Sequence, residues 1–158
     1  MGILKAYCIL PHQLYQRGEF VQFSREEKRE FLSAWGVTCV VSLYGPYDLD
    51  LSERLRNFFH PGGYRVRYIH YPIADGKHVE MAPLEKLADG IVFAIRQDEC
   101  VLVSCHAGRN RSGLLSTLIV RQLLHLSGAE ALAFVRERRP RAVANEVFIE
   151  YLEALPTP

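Results

Sequence analysis

A cysteine and an arginine lie six positions apart in residues 105–113, which read Cys-His-Ala-Gly-Arg-Asn-Arg-Ser-Gly. The arginine, Arg111, has a planar fork of N–H donors that holds two oxygens of a tetrahedral anion at once, which a lysine cannot do. Successive backbone N–H groups add further donors, and Gly108 can adopt backbone conformations that other residues resist. The segment therefore predicts a loop that binds a phosphate-like anion.

Cys105 opens this loop, where the same donors create a positive field. Such a field favours the thiolate form of a cysteine, which is the nucleophilic form. A thiolate beside a bound phosphate ester can attack phosphorus in line with the leaving oxygen. Ser112 follows the arginine directly, and its hydroxyl is placed to hydrogen-bond the sulfur when the sulfur leaves again. Cys105, Arg111 and Ser112 are therefore candidate catalytic residues.

The segments around the loop alternate between strand-like and helix-like patterns. Strands are predicted at 3–10, 37–43, 64–71 and 100–104, and helices at 24–36, 83–95, 114–126, 130–138 and 146–155. Ser24 begins a capping box, Gly36 ends that helix, and Asn145 is placed as the N-cap of the last helix. The alternation predicts an α/β fold with a mostly parallel central sheet flanked by helices. Ligands of such folds bind beyond the carboxyl ends of the strands, where the Cys105 loop is expected.

The composition is that of an ordinary globular protein. The 158 residues suit one domain spanning residues 1–158. Nineteen lysines and arginines against eighteen aspartates and glutamates give a net charge of +1, which argues against a dedicated nucleic-acid binder. No uncharged stretch is long and unbroken enough to span a membrane. The four cysteines are too few for a disulfide scaffold, so a reducing, cytoplasmic compartment is expected.

The remaining cysteines and histidines carry no predicted chemistry. Cys8, Cys39 and Cys100 are interpreted as small core hydrophobes. At about 3.3 Å per strand residue, Cys100 lies too far from Cys105 for a disulfide, and Cys39 is expected below the loop. The histidines outside the loop show no ligand spacing, so no metal site is expected.

The pattern Cys105-x5-Arg111-Ser112, with Gly108 inside it, resembles the signature of the cysteine-dependent protein tyrosine and dual-specificity phosphatases. The resemblance extends over most of the chain, 37–155, and the compact length is similar to the dual-specificity branch. It implies a dual-specificity phosphatase-like catalytic domain in which Cys105 is the nucleophile. Arg111 would clamp the phosphate, and Ser112 would assist departure of the thiolate. The phosphate-binding loop would consist of His106, Ala107, Gly108, Arg109, Asn110 and Arg111.

The same family uses an upstream aspartate on a separate loop as its general acid. Asp75 lies thirty residues before Cys105 and follows a predicted strand. The resemblance implies that Asp75 protonates the leaving oxygen and later accepts a proton from the attacking water. The competing aspartates are Asp48, Asp50, Asp89 and Asp98. One position departs from the family pattern, because Ser104 stands where a histidine usually precedes the nucleophile.

The resemblance implies hydrolysis of phosphate monoesters through a phosphocysteine intermediate, with phosphotyrosine or phosphoserine/threonine proteins as substrates and no cofactor. Three alternatives remain open. A phosphoinositide phosphatase is favoured by the basic side chains of His106 and Arg109. An RNA 5′-triphosphatase is favoured by the Asn110-Arg111 pair, although that branch usually has a histidine at the position of Ala107. A phospho-ligand binding module without catalysis is the third, and the intact nucleophile argues against it.

Two orientations are open for the Arg109 side chain. It either faces the rim of the pocket, opposite Lys77 and His78 on the predicted acid loop, or packs outward against a surface carboxylate. The first orientation would make the mouth of the pocket basic and would favour substrates that carry a second phosphate.

Overall fold

The residues that the structure describes contain one five-stranded sheet, which lies at the centre of the fold. The computed structural model describes residues 6–18, 20, 23–44, 66–73 and 79–158. The strands are β1 (Tyr7–Leu10), β2 (Leu14–Gly18), β3 (Cys39–Ser42), β4 (Arg67–His70) and β5 (Val101–Cys105). Their order across the sheet is β1-β2-β5-β3-β4, with β1 antiparallel to β2 and every other neighbouring pair parallel. The predicted mostly parallel sheet is confirmed, and β5 is its central strand.

The first two strands form a hairpin. The sequence predicts only one strand in this region, at 3–10, which includes β1 and ends before β2 begins. His12, with a φ of 61°, lies in the turn, and the Gln13 N–H donates to the Leu10 carbonyl at 3.0 Å. β2 reads Leu-Tyr-Gln-Arg-Gly, which has neither a clean alternation nor β-branched residues. Its strand conformation comes from ladders to β1 and β5, and such context outweighs intrinsic preference. For that reason, β2 is not predicted as a strand from its sequence.

Five helices accompany the sheet in the described part of the chain. They are α1 (Arg25–Trp35), α2 (Met81–Arg96), α3 (Asn110–Leu124), α4 (Gly128–Arg138) and α5 (Glu146–Glu153). The predicted capping box of α1 is confirmed. The Ser24 hydroxyl accepts a hydrogen bond from the Glu27 N–H at 3.1 Å. In return, a Glu27 carboxylate oxygen accepts a hydrogen bond from the Ser24 N–H at 2.7 Å. Gly36 ends α1 with a φ of 66°, and Asn145 caps α5 through its side-chain oxygen.

Three helices begin earlier than the sequence predicts, and the first of them, α2, begins at Met81, two residues before the predicted start. α4 begins at Gly128, because Ser127 and Glu130 form a second capping box there. α3 begins at Asn110, four residues before the predicted start at Leu114. The apolar pattern begins only at Leu114, so the polar first turn of α3 is indistinguishable from loop in the sequence. As a consequence, Arg111 lies in the first turn of a helix.

Within the described ranges, the sheet separates two apolar cores. The larger core packs α2, α3, α4 and α5 against one face of the sheet, and the smaller core packs α1 against the other. Successive β5 residues alternate between them, since Val103 and Cys105 belong to the larger core and Leu102 to the smaller. The Cys105 side chain therefore faces the α3 side of the sheet, whereas Ser104 faces the α1 side.

The length and hydropathy of the helices bear on whether one of them could span a membrane. Within the described residues, no single helix is long and apolar enough to cross a bilayer. α3 and α4 meet the length and hydropathy requirement only as a pair, and that pair is bent by 116°.

Candidate active site

Cys105 is the last residue of β5 and lies at the carboxyl edge of the parallel part of the sheet. Four residues, 106–109, connect it to the start of α3. Cys105 is 2% exposed, whereas His106 and Ala107 at the start of the loop are exposed. Because α3 begins at the same edge, its first N–H groups add to the donors of the loop. The predicted strand–loop–helix arrangement is confirmed.

The Arg111 side chain is buried beside the ends of two neighbouring strands. It is 5% exposed, and its Nη1 donates to the carbonyls of Leu43 at 3.3 Å and Ile73 at 3.2 Å. Leu43 follows β3 and Ile73 lies shortly after β4. These two bonds fix the guanidinium at the carboxyl edge of the sheet, the edge where Cys105 also lies. The structure thus brings the predicted nucleophile and the predicted phosphate clamp to one edge.

Two glycine backbones in close contact shape the loop. Gly108 has a φ of 60°, which favours glycine, and a Cβ added there would lie 2.1 Å from the backbone nitrogen of Gly18. A Cβ added to Gly18, at the end of β2, would lie 2.4 Å from the Ala107 carbonyl carbon. Both contacts are to backbone atoms, which cannot rotate away as a side chain does. The end of β2 and the loop therefore fit together only as glycine against glycine.

Residues 139–145, the supporting segment, follow α4 and contact the loop. The Asn110 side-chain oxygen accepts from two successive backbone N–H groups, at 2.7 Å from Ala144 and at 3.3 Å from the next residue. The Arg109 carbonyl accepts from the Val143 N–H at 3.4 Å. Val143 has a φ of 60°, a rare conformation for a β-branched residue and one that concentrates at functional sites. The Asn110 side chain thus links the start of α3 to the supporting segment.

The Arg109 side chain is held by the same supporting segment. It is half-buried, and its Nε donates to the Arg141 carbonyl at 2.8 Å. This bond directs Arg109 toward the supporting segment, and the acceptor is a backbone carbonyl in place of the predicted carboxylate. Lys77 and His78, the other members of the predicted basic rim, lie outside the described residues. The Arg109 Nε is therefore occupied by the supporting segment.

Ser112 lies in the first turn of α3 and is fully buried. Its hydroxyl oxygen forms no hydrogen bond with the residues that the structure describes. A buried hydroxyl of this kind retains its capacity to donate. The position is compatible with the predicted role at the sulfur, which remains a prediction.

A model of the dual specificity phosphatase catalytic domain matches residues 30–156. This match covers most of the chain and includes the whole loop from Cys105 to Gly113. The chain belongs to the dual specificity phosphatase family. The resemblance carried by the cysteine, arginine and serine of the loop is thereby confirmed.

Two human proteins match this dual specificity phosphatase chain over part of their length. Dual specificity protein phosphatase 16 is 33% identical over 86 residues, which are 54% of this chain and 13% of that protein. Dual specificity protein phosphatase 14 is 29% identical over 113 residues, which are 71% of this chain and 52% of that protein. The chain thus spans about half the length of one relative and a small part of the other.

Solved structures match nearly the whole dual specificity phosphatase fold. The crystal structure of Tk-PTP in the active form is 25% identical, with a TM-score of 0.69 over 95% of this chain and 97% of that chain. The crystal structure of PTPMT1 is 19% identical, with a TM-score of 0.73 over 94% of this chain and 92% of that chain. The predicted dual-specificity phosphatase-like fold is confirmed.

The residue before the nucleophile, a histidine in many dual specificity phosphatases, is here Ser104. Ser104 is fully buried and pairs in register with Ser42 of β3. Neither hydroxyl oxygen is hydrogen-bonded to a described residue. Because neighbouring strand residues point to opposite faces, the Ser104 hydroxyl lies on the side of the sheet away from the Cys105 thiol.

Asp75, the predicted general acid of this dual specificity phosphatase, lies outside the described residues, as do Asp48 and Asp50. Two competing aspartates are described. Asp89 lies within α2 and accepts a hydrogen bond from Gln122. Asp98 precedes β5 and so lies at the amino edge of the sheet, opposite the edge that holds Cys105. Neither of these two is positioned to protonate a leaving group at Cys105.

The other cysteines differ from Cys105 in position. Cys39 begins β3 and pairs in register with Val101, four residues before Cys105, a separation of about 13 Å along the strand. Burial raises the pKa of both Cys39 and Cys100 to about 11, so these thiols are uncharged near neutral pH. Their predicted role as core residues is confirmed. Among the described residues, no group of three histidines, cysteines or carboxylates is arranged to hold a metal ion.

Sequence reasoning missed the residues that support the loop from a distance. Gly18 offered one usable signal, because a glycine at a strand end often marks a close backbone approach. The supporting segment offered none, because its contacts depend on Asn110 and Arg109, more than thirty residues earlier. These contacts form only when α4 has folded back along α3.

Proposed function

We propose that this chain is a cysteine-dependent phosphatase that hydrolyses phosphate monoesters, with Cys105 as its nucleophile. The observation that carries the proposal is the meeting of Cys105 and Arg111 at one edge of the sheet, with the guanidinium bonded to the carbonyls of Leu43 and Ile73. A thiol and a guanidinium beside the first turn of a helix suit a tetrahedral dianion. A pure binding module would have no use for a thiol at this position.

In the first half of the proposed reaction, Arg111 and the N–H groups of residues 106–111 bind the three non-bridging phosphate oxygens. The Cys105 thiolate attacks phosphorus, so that a sulfur–phosphorus bond forms as the bond to the leaving oxygen breaks. Asp75 donates its proton to that oxygen, which departs as an alcohol or phenol. The donors stabilise the negative charge as it moves between the oxygens.

In the second half, water attacks the phosphocysteine and Asp75, now a carboxylate, accepts its proton. The sulfur–phosphorus bond breaks, inorganic phosphate forms and the thiolate returns. The buried Ser112 hydroxyl is available to donate a hydrogen bond to the departing sulfur. No metal or cofactor takes part in these steps.

For the substrates we propose phosphotyrosine and phosphoserine or phosphothreonine proteins, acted on in the cytoplasm by one catalytic domain over residues 1–158. The support is the name shared by the two human relatives, dual specificity protein phosphatases 16 and 14. His106 and Ala107, at the start of the loop, are exposed, which suits a substrate residue on a protein surface.

A phosphoinositide is the second candidate substrate. PTPMT1, which shares the fold, has been crystallised in complex with PI(5)P. The exposed His106 and Arg141, and the half-buried Arg139, add basic side chains around the loop. The bond from Arg109 to the Arg141 carbonyl weakens this candidate, because it turns one of the two predicted basic groups away from the rim.

The test is a panel of phosphopeptides, inositol phosphates, a phosphoinositide and triphosphorylated RNA, assayed for phosphate release. We expect the highest kcat/KM on phosphopeptides, and we expect Cys105→Ser to abolish turnover while phosphate still binds. Arg111→Lys is the second variant, and we expect it to be nearly as damaging because the two-pronged contact is lost. Full activity of Cys105→Ser would overturn the proposed mechanism, and a preference for the lipid would replace the proposed substrate.

A further inference from the structure

The carbonyl of Gly108, inside the loop, accepts hydrogen bonds from two side chains that lie far away in the sequence. We propose that Gln16 and Arg139 are positioning residues that clamp this carbonyl, so that the N–H of the same peptide group faces the bound phosphate. The inference rests on the proposed function of the loop as a phosphate site. It assigns to β2 and to the end of α4 a part in substrate binding.

The two hydrogen bonds reach the same oxygen from different elements. Gln16 Nε2 donates to the Gly108 carbonyl at 2.8 Å, from a side chain that is fully buried. Arg139 Nε donates to the same carbonyl at 3.1 Å, from the residue that follows α4. A carbonyl oxygen has two lone pairs, so both bonds can form together. Neither donor belongs to the loop itself.

A clamp on the carbonyl also fixes the adjacent N–H. The peptide group that joins Gly108 to Arg109 is planar and trans, so its C=O and N–H point in opposite directions. With the carbonyl directed outward to Gln16 and Arg139, the Arg109 N–H points toward the inside of the loop. Rotation of this peptide by half a turn would place a carbonyl oxygen against the phosphate, and the two negative groups would repel each other.

The loop alone does not prevent such a rotation. Gly108 has no Cβ and a φ of 60°, and glycine moves between positive and negative φ at little cost. The glycine that the close contact with Gly18 demands is therefore also the residue that makes the peptide easiest to rotate. The clamp supplies the restraint that the glycine lacks.

Gln16 is an unusual residue for its position in β2. It lies between Leu14 and Gly18 and pairs in register with Val103, in a row of the sheet that is otherwise apolar. Its Oε1 is buried and makes no hydrogen bond with the described residues. Burial of a half-satisfied amide lowers stability, and an apolar side chain would avoid that cost. Among the described contacts, the hydrogen bond to the Gly108 carbonyl explains why a glutamine rather than an apolar residue lies at position 16.

The guanidinium of Arg139 is itself held in place. It lies over the Tyr7 ring of β1 at 4.4 Å from the centroid, and its Nη1 donates to the Pro140 carbonyl at 2.9 Å. A guanidinium stacked on a ring and bonded to a carbonyl loses little further freedom when it binds Gly108. The Arg139 side of the clamp is thus preorganised.

The test measures phosphate binding without turnover, by calorimetric titration of inorganic phosphate into protein carrying Cys105→Ser. We expect Gln16→Met in that background to weaken binding by about tenfold, the upper range of one hydrogen bond. Leu14→Met is the matched control, because it changes a buried side chain two residues away on the same face of β2. We expect it to change binding less than twofold, since it leaves the Gly108 carbonyl untouched.

Gln16→Glu adds a readout that a purely structural role would not produce. A protonated carboxyl group donates to the Gly108 carbonyl, whereas a carboxylate cannot donate and repels the anion. We therefore expect the binding deficit of Gln16→Glu, measured as a ratio to the parent at the same pH, to shrink as the pH is lowered. The ratio cancels the effect that phosphate ionisation has on the parent protein, and this variant also decides the matter if Gln16→Met does not fold.

Each outcome separates the clamp from the proposed function. Unchanged phosphate affinity in Gln16→Met, or a deficit in Gln16→Glu that does not depend on pH, overturns the clamp alone. Equal losses of affinity in Gln16→Met and Leu14→Met also overturn it, because they indicate a general loosening of β2. Failure of the parent Cys105→Ser protein to bind phosphate overturns the proposed function and the clamp with it.

Discussion

Replacement of Gly18 by alanine tests how closely β2 determines the shape of the loop. The added Cβ would lie 2.4 Å from the Ala107 carbonyl carbon and 2.7 Å from the Gly108 nitrogen, and ordinary contacts begin at 3.4 Å. The loop must therefore retreat by about 1 Å, and a displacement of about 1 Å in reacting groups costs about 10²-fold in rate. We expect kcat/KM on an aryl phosphate to fall by about that factor.

Gly90→Ala is the matched control for this prediction. Gly90 lies inside α2, where an added Cβ meets no described atom within 4 Å other than the backbone of its own helix and its chain neighbours. Alanine is favoured over glycine in a helix by about 0.5–1 kcal/mol, so we expect a higher Tm and unchanged kcat/KM. Gly18→Ala should lower the Tm as well, because overpacking costs about 1–3 kcal/mol. Retention of kcat/KM within twofold in Gly18→Ala, measured well below its Tm, would refute the reasoning.

Two further predictions concern the general acid and the buried thiols. We expect Asp75→Asn to lower kcat by about 10²–10⁴ on alkyl phosphates and far less on aryl phosphates whose leaving group needs no proton; equal effects on both would reject Asp75 as the acid. Because burial raises the pKa of Cys39 and Cys100 to about 11, both thiols stay protonated in the folded chain at pH values where the unfolded chain ionises them. We therefore expect the unfolding free energy in urea to fall as the pH rises from about 9 to about 11, and less steeply in a Cys39→Ala, Cys100→Ala variant. Identical slopes would contradict the shifts.

The part of the site that is contiguous in the chain was predictable from sequence. The spacing of Cys105 and Arg111 determines that both can reach one anion, since a strand, a short loop and a helix turn span those seven residues. The same holds for the caps at Ser24 and Asn145, whose hydrogen bonds join residues two or three positions apart. Contacts between residues that are close in the chain can be predicted from the sequence of that short segment.

The parts that depend on distant contacts were not predictable. β2 is a strand because it pairs with β1 and β5, and its short sequence alone does not predict a strand. The Arg109 side chain could reach the rim or the exterior by spacing alone, and only the fold of the supporting segment decides in favour of the Arg141 carbonyl. Val143 has a positive φ, although β-branched residues prefer a negative φ. Tertiary packing must therefore impose this backbone conformation.

The central claim is that Cys105 attacks phosphorus and carries the phosphoryl group. The most direct test is mass spectrometry of protein quenched during turnover of an aryl phosphate, with Asp75→Asn used to slow hydrolysis of the intermediate. We predict one phosphoryl group, located on the peptide that contains Cys105 and absent from the Cys105→Ser variant. A phosphoryl group on another residue would contradict this account, as would sustained turnover by Cys105→Ser.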